Sequence, residues 1–176
     1  MISHIIFITG GTKSGKSEFA EHLAKKVKNL AYVALSEKNI DDKDWLEKIK
    51  LHRKRRPKDW KIIETTDLLN TLTQEDCPLL IDSIGGFVME NIDIEHKEWS
   101  TKLNKLISLL IKRKSLTLIV GEQVGWSLVS PYKIGNTYIE RIGDLQKRIT
   151  KISKDNWLAI NGRAIKIDEI SIEIPI

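Results

Sequence analysis

Eight consecutive residues, Gly10, Gly11, Thr12, Lys13, Ser14, Gly15, Lys16 and Ser17, carry the plainest chemistry in this chain. They read G-x-x-x-x-G-K-S, a spacing in which glycines let backbone N–H groups converge on phosphate oxygens. Lys16 can then reach the β- and γ-phosphates of a nucleoside triphosphate, and the Ser17 hydroxyl can hold Mg²⁺. A Gly-rich turn with a chance Lys-Ser pair is the alternative. The flanks favour the nucleotide site, because Ile5-Ile6-Phe7-Ile8 reads as a buried strand before the loop and Glu18 to Ala24 as a helix after it. A helix N-terminus adds a dipole that suits an anion.

Leu79-Leu80-Ile81-Asp82 is an apolar run ending in a carboxylate. That is the form of the strand that places an aspartate near the metal of a phosphate-loop enzyme, so Asp82 is a second Mg²⁺ candidate, acting directly or through water. The other possibility is a strand-end carboxylate satisfied by nearby backbone.

The third stretch runs Leu51-His52-Arg53-Lys54-Arg55-Arg56-Pro57-Lys58-Asp59-Trp60. Three readings compete: a solvated basic turn, a nucleic-acid patch without the interleaved aromatics of a single-strand platform, and a nucleophile with a phosphate clamp. In the last, the cations of Arg53, Lys54, Arg55 and Arg56 disfavour protonation of His52 and keep the imidazole neutral for attack on phosphorus. The same cations would neutralise charge developing on a triphosphate.

These groups need a scaffold that brings strand ends together. Apolar runs at Ile5–Thr9, Leu30–Leu35, Leu79–Asp82 and Leu116–Val120 alternate with helical patterns, which implies an α/β fold. The expectation is one phosphate-loop NTPase-like domain over 1–176, its mainly parallel sheet covered by helices on both faces. Ligands of such sheets bind beyond the carboxyl ends of the strands, where the phosphate loop, Ser36, Asp82 and Glu122 would meet. The first helix is expected over Ser17 to about Lys28, another around Trp45, Leu46 and Ile49, and a brief one capped by Asp67 through Leu72. A long helix carries Trp99, Leu103, Leu106, Ile107, Leu110 and Ile111 on one apolar face, and a late one runs from Tyr138 to Ile152. His96 is expected in a polar loop, and Gly85-Gly86 in a loop of underived shape. Asn161-Gly162 predicts a C-terminal hairpin between Asn156–Ile160 and Ala164–Ile167.

Composition narrows the class. The chain has 176 residues, 41% hydrophobic and 30% charged, as expected of a globular protein. Its apolar runs are too short to span a membrane. Cys77 is the sole cysteine, so no intrachain disulfide can form, which fits a reducing cytoplasm. Net charge is +5, but Lys48–Lys61 alone holds eight Lys or Arg against Asp59, a local +7 that leaves −2 elsewhere. Basicity so confined argues against a nucleic-acid partner.

Taken in order, Thr9–Ser17, Ala31-Tyr32-Val33-Ala34, the His52…Pro57…Trp60…Glu64 segment, Asp82 and Glu122…Val124-Gly125-Trp126 resemble the bifunctional adenosylcobinamide kinase / adenosylcobinamide-phosphate guanylyltransferase family of cobalamin biosynthesis. The late helix with Tyr138, Gly143, Leu145 and Arg148 is similar too, and the likeness spans Ile5 to about Lys166. The H-x4-P-x2-W-x3-E spacing is its most specific part. The resemblance implies that His52 is guanylylated by GTP, with Lys16 also catalytic, and that GMP passes to adenosylcobinamide phosphate. It implies a kinase activity on adenosylcobinamide with ATP or GTP, and Mg²⁺ as cofactor. Nucleotide contacts would come from Gly10–Ser17, Ala34, Leu35, Ser36, Arg53, Lys54, Arg55, Arg56, Glu64 and Asp82. A cytoplasmic homotrimer with a corrinoid substrate completes the expectation. Ser83-Ile84-Gly85-Gly86-Phe87 departs from the family pattern, which usually has Thr and a bulkier residue at the glycines.

Overall fold

A computed structural model of the chain describes residues 4–35, 56–126 and 129–174. The expected helix around Trp45 lies outside the described residues, as do Ser36, His52, Arg53, Lys54 and Arg55. Seven strands form one sheet: β1 (Ile5–Gly10), β2 (Ala31–Ala34), β3 (Lys61–Glu64), β4 (Leu79–Asp82), β5 (Thr117–Glu122), β6 (Asp155–Ile160) and β7 (Arg163–Lys166). Their order is β3-β2-β4-β5-β1-β6-β7. Every pairing is parallel except that of β6 with β7, which is antiparallel.

The central strands are apolar throughout because each is buried on both faces. Phe7, Val33, Ile81 and Ile119 point into one core cluster, with Leu68, Phe87, Trp99, Leu103 and Leu145 from the helices. Their neighbours Ile8, Tyr32, Leu80, Leu118 and Val120 point into the other, with Ala20, Ala24, Leu30 and Trp60. Helix α1 (Lys16–Ala24) covers this second face. The first face is covered by α2 (Leu68–Gln74), α3 (Gly85–Glu90), α4 (His96–Lys112) and α5 (Lys133–Ile152).

Several boundaries differ from expectation for local reasons. Helix α1 ends at Ala24, with Lys25 as its C-cap, rather than near Lys28. Lys25, Lys26 and Lys28 crowd like charge there, and Asn29 takes a left-handed φ of 54° that no helix continues. Asp67 caps α2 as expected, its side chain accepting from Asn70 N at 2.9 Å. His96 opens α4 instead of lying in a loop. Helix α5 starts five residues before Tyr138. Gly135 and Asn136, weak helix formers, hide that turn in the sequence, while the Asn136 side chain donates to Ser130 O at 3.0 Å. Gly85-Gly86 begins a helix, not a loop. A side chain at Gly86 would run into the Leu35 carbonyl, so the glycine is what lets α3 lie against the end of β2. The hairpin forms where expected, with Asn161 at φ 49° and Gly162 at φ 74°.

Candidate active site

Gly10 ends β1, and Gly15 sits at the α1 N-cap with φ 93°, a left-handed conformation open to glycine at no steric cost. Between them the chain makes the phosphate loop. Lys16 Nζ folds back to donate to Gly11 O at 3.2 Å. The hairpin turn braces the loop from outside, since Gly162 N donates to Ser14 O at 3.0 Å.

Ser17 Oγ donates to Asp82 Oδ1 at 3.1 Å, so the two candidate metal ligands, 65 positions apart in sequence, are neighbours. The Tyr32 hydroxyl donates to the other carboxylate oxygen, Asp82 Oδ2, at 2.8 Å. Burial, followed by the charge of Asp82, pushes the Tyr32 phenol far above its ordinary range, so it acts as a permanent donor. The serine and carboxylate oxygens suit a hard divalent cation, and Mg²⁺ in phosphate-loop enzymes takes only one or two protein oxygens besides phosphate and water.

Arg56 is the one member of the basic segment's cation run among the described residues. Its guanidinium lies 3.4 Å from the Tyr32 ring centroid, and Nε donates to Glu21 Oε1 at 3.2 Å, both side chains being nearly buried. Arg56 thereby ties the end of the basic segment to α1 and to the tyrosine that holds Asp82. Ala34 ends β2, buried Leu35 follows it, and Glu64 ends β3. All three lie at the carboxyl edge of the sheet, as Asp82 does.

Glu122 ends β5 beside the loop, in register with Gly10. Sequence placed it on this edge without giving it a task. Its backbone is held on two sides: Gln123 N donates to Gly10 O at 3.0 Å, and Gln146 Nε2 donates to Glu122 O at 2.7 Å. Gln146 Oε1 in turn accepts from Thr9 Oγ1 and Gln123 Nε2, each at 3.1 Å. Ser83 Oγ donates to Glu122 Oε1, whereas the buried Oε2 has no hydrogen-bond partner among the described residues. Burial pushes the Glu122 carboxyl up to about 7; the backbone N–H groups of Glu122 and Gly85 and the charge of Lys16 oppose the shift, and Asp82 adds to it. Tyr138 stands nearby, its phenol raised by burial and then by Glu122. On the far side of Glu122 a cavity of about 830 Å³ opens between the end of β5, α5 and the segment after β7, lined by Val124, Trp126, Ile139, Ile142 and Gln146 among others.

A glycine loop on the first strand of a parallel sheet, facing a strand-end aspartate across Ser17, defines the phosphate-loop NTPase fold. Solved structures agree at the level of fold. An ATPase from the type III secretion system of pathogenic bacteria superposes with a TM-score of 0.55 at 12% identity, over 88% of this chain and 50% of that one. A protein of Pyrococcus horikoshii OT3 superposes with a TM-score of 0.52 at 8% identity, over 96% of this chain and 89% of that one. Residues 6–167 match the family described as cobinamide kinase / cobinamide phosphate guanyltransferase, CobU, and the chain belongs to that family. Relatives named bifunctional adenosylcobalamin biosynthesis protein CobU, from Escherichia coli (strain K12) and Salmonella typhimurium (strain LT2), are each 24% identical over 93% of this chain and 99% of their own length.

Proposed function

We propose that this chain phosphorylates the aminopropanol hydroxyl of adenosylcobinamide with ATP or GTP, then transfers GMP from GTP to adenosylcobinamide phosphate, giving adenosylcobinamide-GDP for cobalamin biosynthesis. The observation that carries this reading is the phosphate loop with Ser17 hydrogen-bonded to Asp82, in a chain whose family match runs over residues 6–167.

In the guanylyl half, a neutral His52 nitrogen attacks the α-phosphorus of GTP. The N–P bond forms, the bond to the bridging oxygen breaks, and pyrophosphate leaves with the electron pair. A phosphate oxygen of adenosylcobinamide phosphate then displaces the histidine. Splitting the transfer in two lets one site perform both in-line displacements. Arg53, Lys54, Arg55 and Arg56 counter the charge of the triphosphate, and Ala34, Leu35, Ser36 and Glu64 line the nucleotide at the sheet edge. Lys16 leaves Gly11 O for the phosphates when nucleotide binds. Mg²⁺ would be held by Ser17 and Asp82 and would supply charge neutralisation between the phosphates. The assembly is a homotrimer of single-domain subunits in the cytoplasm.

GTP labelled at the α-phosphorus tests the reading directly. An acid-labile, base-stable label should appear on the protein and be absent from His52→Ala. Equal labelling of the two proteins sinks the covalent mechanism. Phosphorylation without any label leaves a kinase in which His52 has no chemical part.

A further inference from the structure

We propose that residues 168–174 form one wall of the acceptor site, closing the cavity beside α5 over the bulky ring of the cobinamide acceptor. This assignment rests on the kinase activity given under Proposed function and gives the acceptor a place that the phosphate loop alone does not provide. The family match ends at residue 167, so the wall lies beyond the part of the chain that the match covers.

The cavity comes first. At about 830 Å³ it has the size usual for a small-molecule site. Thr9, Gln123 and Gln146 line it and are locked to one another. Thr9 Oγ1 donates to Gln146 Oε1 at 3.1 Å, and Gln123 Nε2 donates to Thr9 Oγ1 at 3.0 Å and to Gln146 Oε1 at 3.1 Å. Groups that satisfy one another in this way keep their shape whether or not the cavity is filled. Val124, Trp126, Ile139 and Ile142 supply apolar surface, which suits the body of a large organic ring better than a triphosphate.

Its place in the fold separates the two substrates. Phe7 and Ile142, which line the cavity, belong to the first sheet face, whereas α1 covers the second. The cavity nevertheless adjoins the phosphate loop. Thr9 immediately precedes Gly10, and Gln123 N donates to Gly10 O at 3.0 Å. An acceptor seated here has its hydroxyl-bearing arm available at the carboxyl edge of the sheet, where the outer phosphates of the nucleotide are held.

Asp168 fixes where the wall begins. Its carboxylate accepts from Asn156 N at 2.7 Å and from Asn156 Nδ2 at 2.9 Å, on β6. Ser171 Oγ donates to Ile167 O at 2.7 Å and holds the next turn. Beyond it Ile172 and Ile174 line the cavity, yet they are 90% and 78% exposed, and Trp126, which also lines it, is 65% exposed. Single exposed apolar side chains are ordinary. A tryptophan and two isoleucines around one cavity are a patch, and patches of that kind mark binding surfaces. A ring filling the cavity takes all three from water, and the indole gives it a flat face to stack on. Ile170 is 73% exposed on the same segment but does not line the cavity.

The experiment measures adenosylcobinamide binding without nucleotide, by equilibrium dialysis read from the corrinoid's visible absorbance, together with KM for adenosylcobinamide and for ATP. Ile172 and Ile174 are on the surface, so the double variant Ile172→Ser, Ile174→Ser should fold as wild type does. It should bind the acceptor about tenfold more weakly and raise KM for the acceptor in step, with KM for ATP unchanged. Trp126→Ala should weaken acceptor binding in the same selective way, and Ile170→Ser should bind like wild type. Wild-type affinity in the double variant overturns the assignment, and so does an equal loss in Ile170→Ser. An oligomer seen by sedimentation that both isoleucine variants lose, with acceptor affinity kept, gives these side chains to a second copy of the chain and overturns it too. A wild-type chain that takes up no adenosylcobinamide even at millimolar concentration overturns the kinase reading itself, and the site with it, whereas equally tight binding by every variant overturns the site alone.

Discussion

The Tyr32 hydroxyl donates to Asp82 Oδ2 at 2.8 Å from the adjacent strand, so a core residue of one sheet face orients a carboxylate at the sheet's functional edge. Oδ1 is thereby left facing Ser17. A buried hydrogen bond to a charged acceptor contributes about 1.5–3 kcal/mol, more than a surface ion pair contributes.

Tyr32→Phe keeps the ring under Arg56 and removes only the hydroxyl. It should lower unfolding stability by about 1.5–3 kcal/mol in urea titrations, and raise the Mg²⁺ concentration needed for half-maximal turnover. Unchanged Mg²⁺ dependence would show that Asp82 keeps its orientation without the tyrosine.

Lys16→Ala and His52→Ala should separate the two activities. Removing a charge that stabilises the transferring phosphates costs about 10²–10³-fold in rate, so Lys16→Ala should reduce kinase and guanylyl transfer alike. His52→Ala should abolish the guanylyl step and spare the kinase. Steady-state rates for both reactions, with circular dichroism as a folding check, decide between this and a shared role.

Glu122 makes stability depend on pH. Its folded-state affinity for a proton is raised to about 7 from 4.5, so the folded chain binds more protons than the unfolded one between those values, and stability falls as pH rises across that window. Lys16, Asp82, Ser83 and Tyr138 are the groups that face it. Glu122→Gln should therefore be more stable than wild type at pH 8, by on the order of 2–3 kcal/mol, and the difference should vanish below about pH 4.5. Thermal melts of nucleotide-free protein at pH 4.5, 6 and 8 measure this. A variant less stable than wild type at pH 8 would give Glu122 a net structural role.

Gly162→Ala tests the brace on the phosphate loop. At φ 74° an added Cβ costs about 1–2 kcal/mol, and there is open space around it, so strain rather than collision is the expected cause. Because Gly162 N donates to Ser14 O, the strain should also weaken nucleotide binding several-fold in equilibrium titration. Destabilisation with unaltered affinity would show the two to be independent.

The strands were legible because sheet burial on both faces writes itself as uninterrupted apolar runs, as at Leu79–Ile81 and Leu118–Val120. The Asp67 cap and the Asn161-Gly162 turn were legible because their side chains act on backbone only a few residues away. Ser17 and Asp82 could be named separately as metal candidates, since each belongs to a local motif. The tyrosine between them could not. Tyr32 reads as one more apolar strand position until β2 is known to lie beside β4, and neighbour order is not a local property. Glycine obscured two helix starts, at Gly85-Gly86 and Gly135, where close packing against Leu35 and Ser130 overrides intrinsic propensity. Glu122 was placed on the right edge, but its open oxygen emerges only when Ser83 and Gln146 are seen to occupy the rest of it.

The central strand β1 pairs with β5 on one side and β6 on the other, Ile6 facing Leu118 and Asp155. During synthesis the phosphate loop therefore leaves the ribosome long before the strands that flank it exist. Pairings so distant in sequence form slowly, and a nascent chain released before β6 would carry every residue of the loop while lacking the neighbour that holds it. Competence to bind nucleotide should therefore arise only once β6 has been made, and a nucleotide-affinity resin should discriminate chains ending before Asp155 from those extending past Lys166.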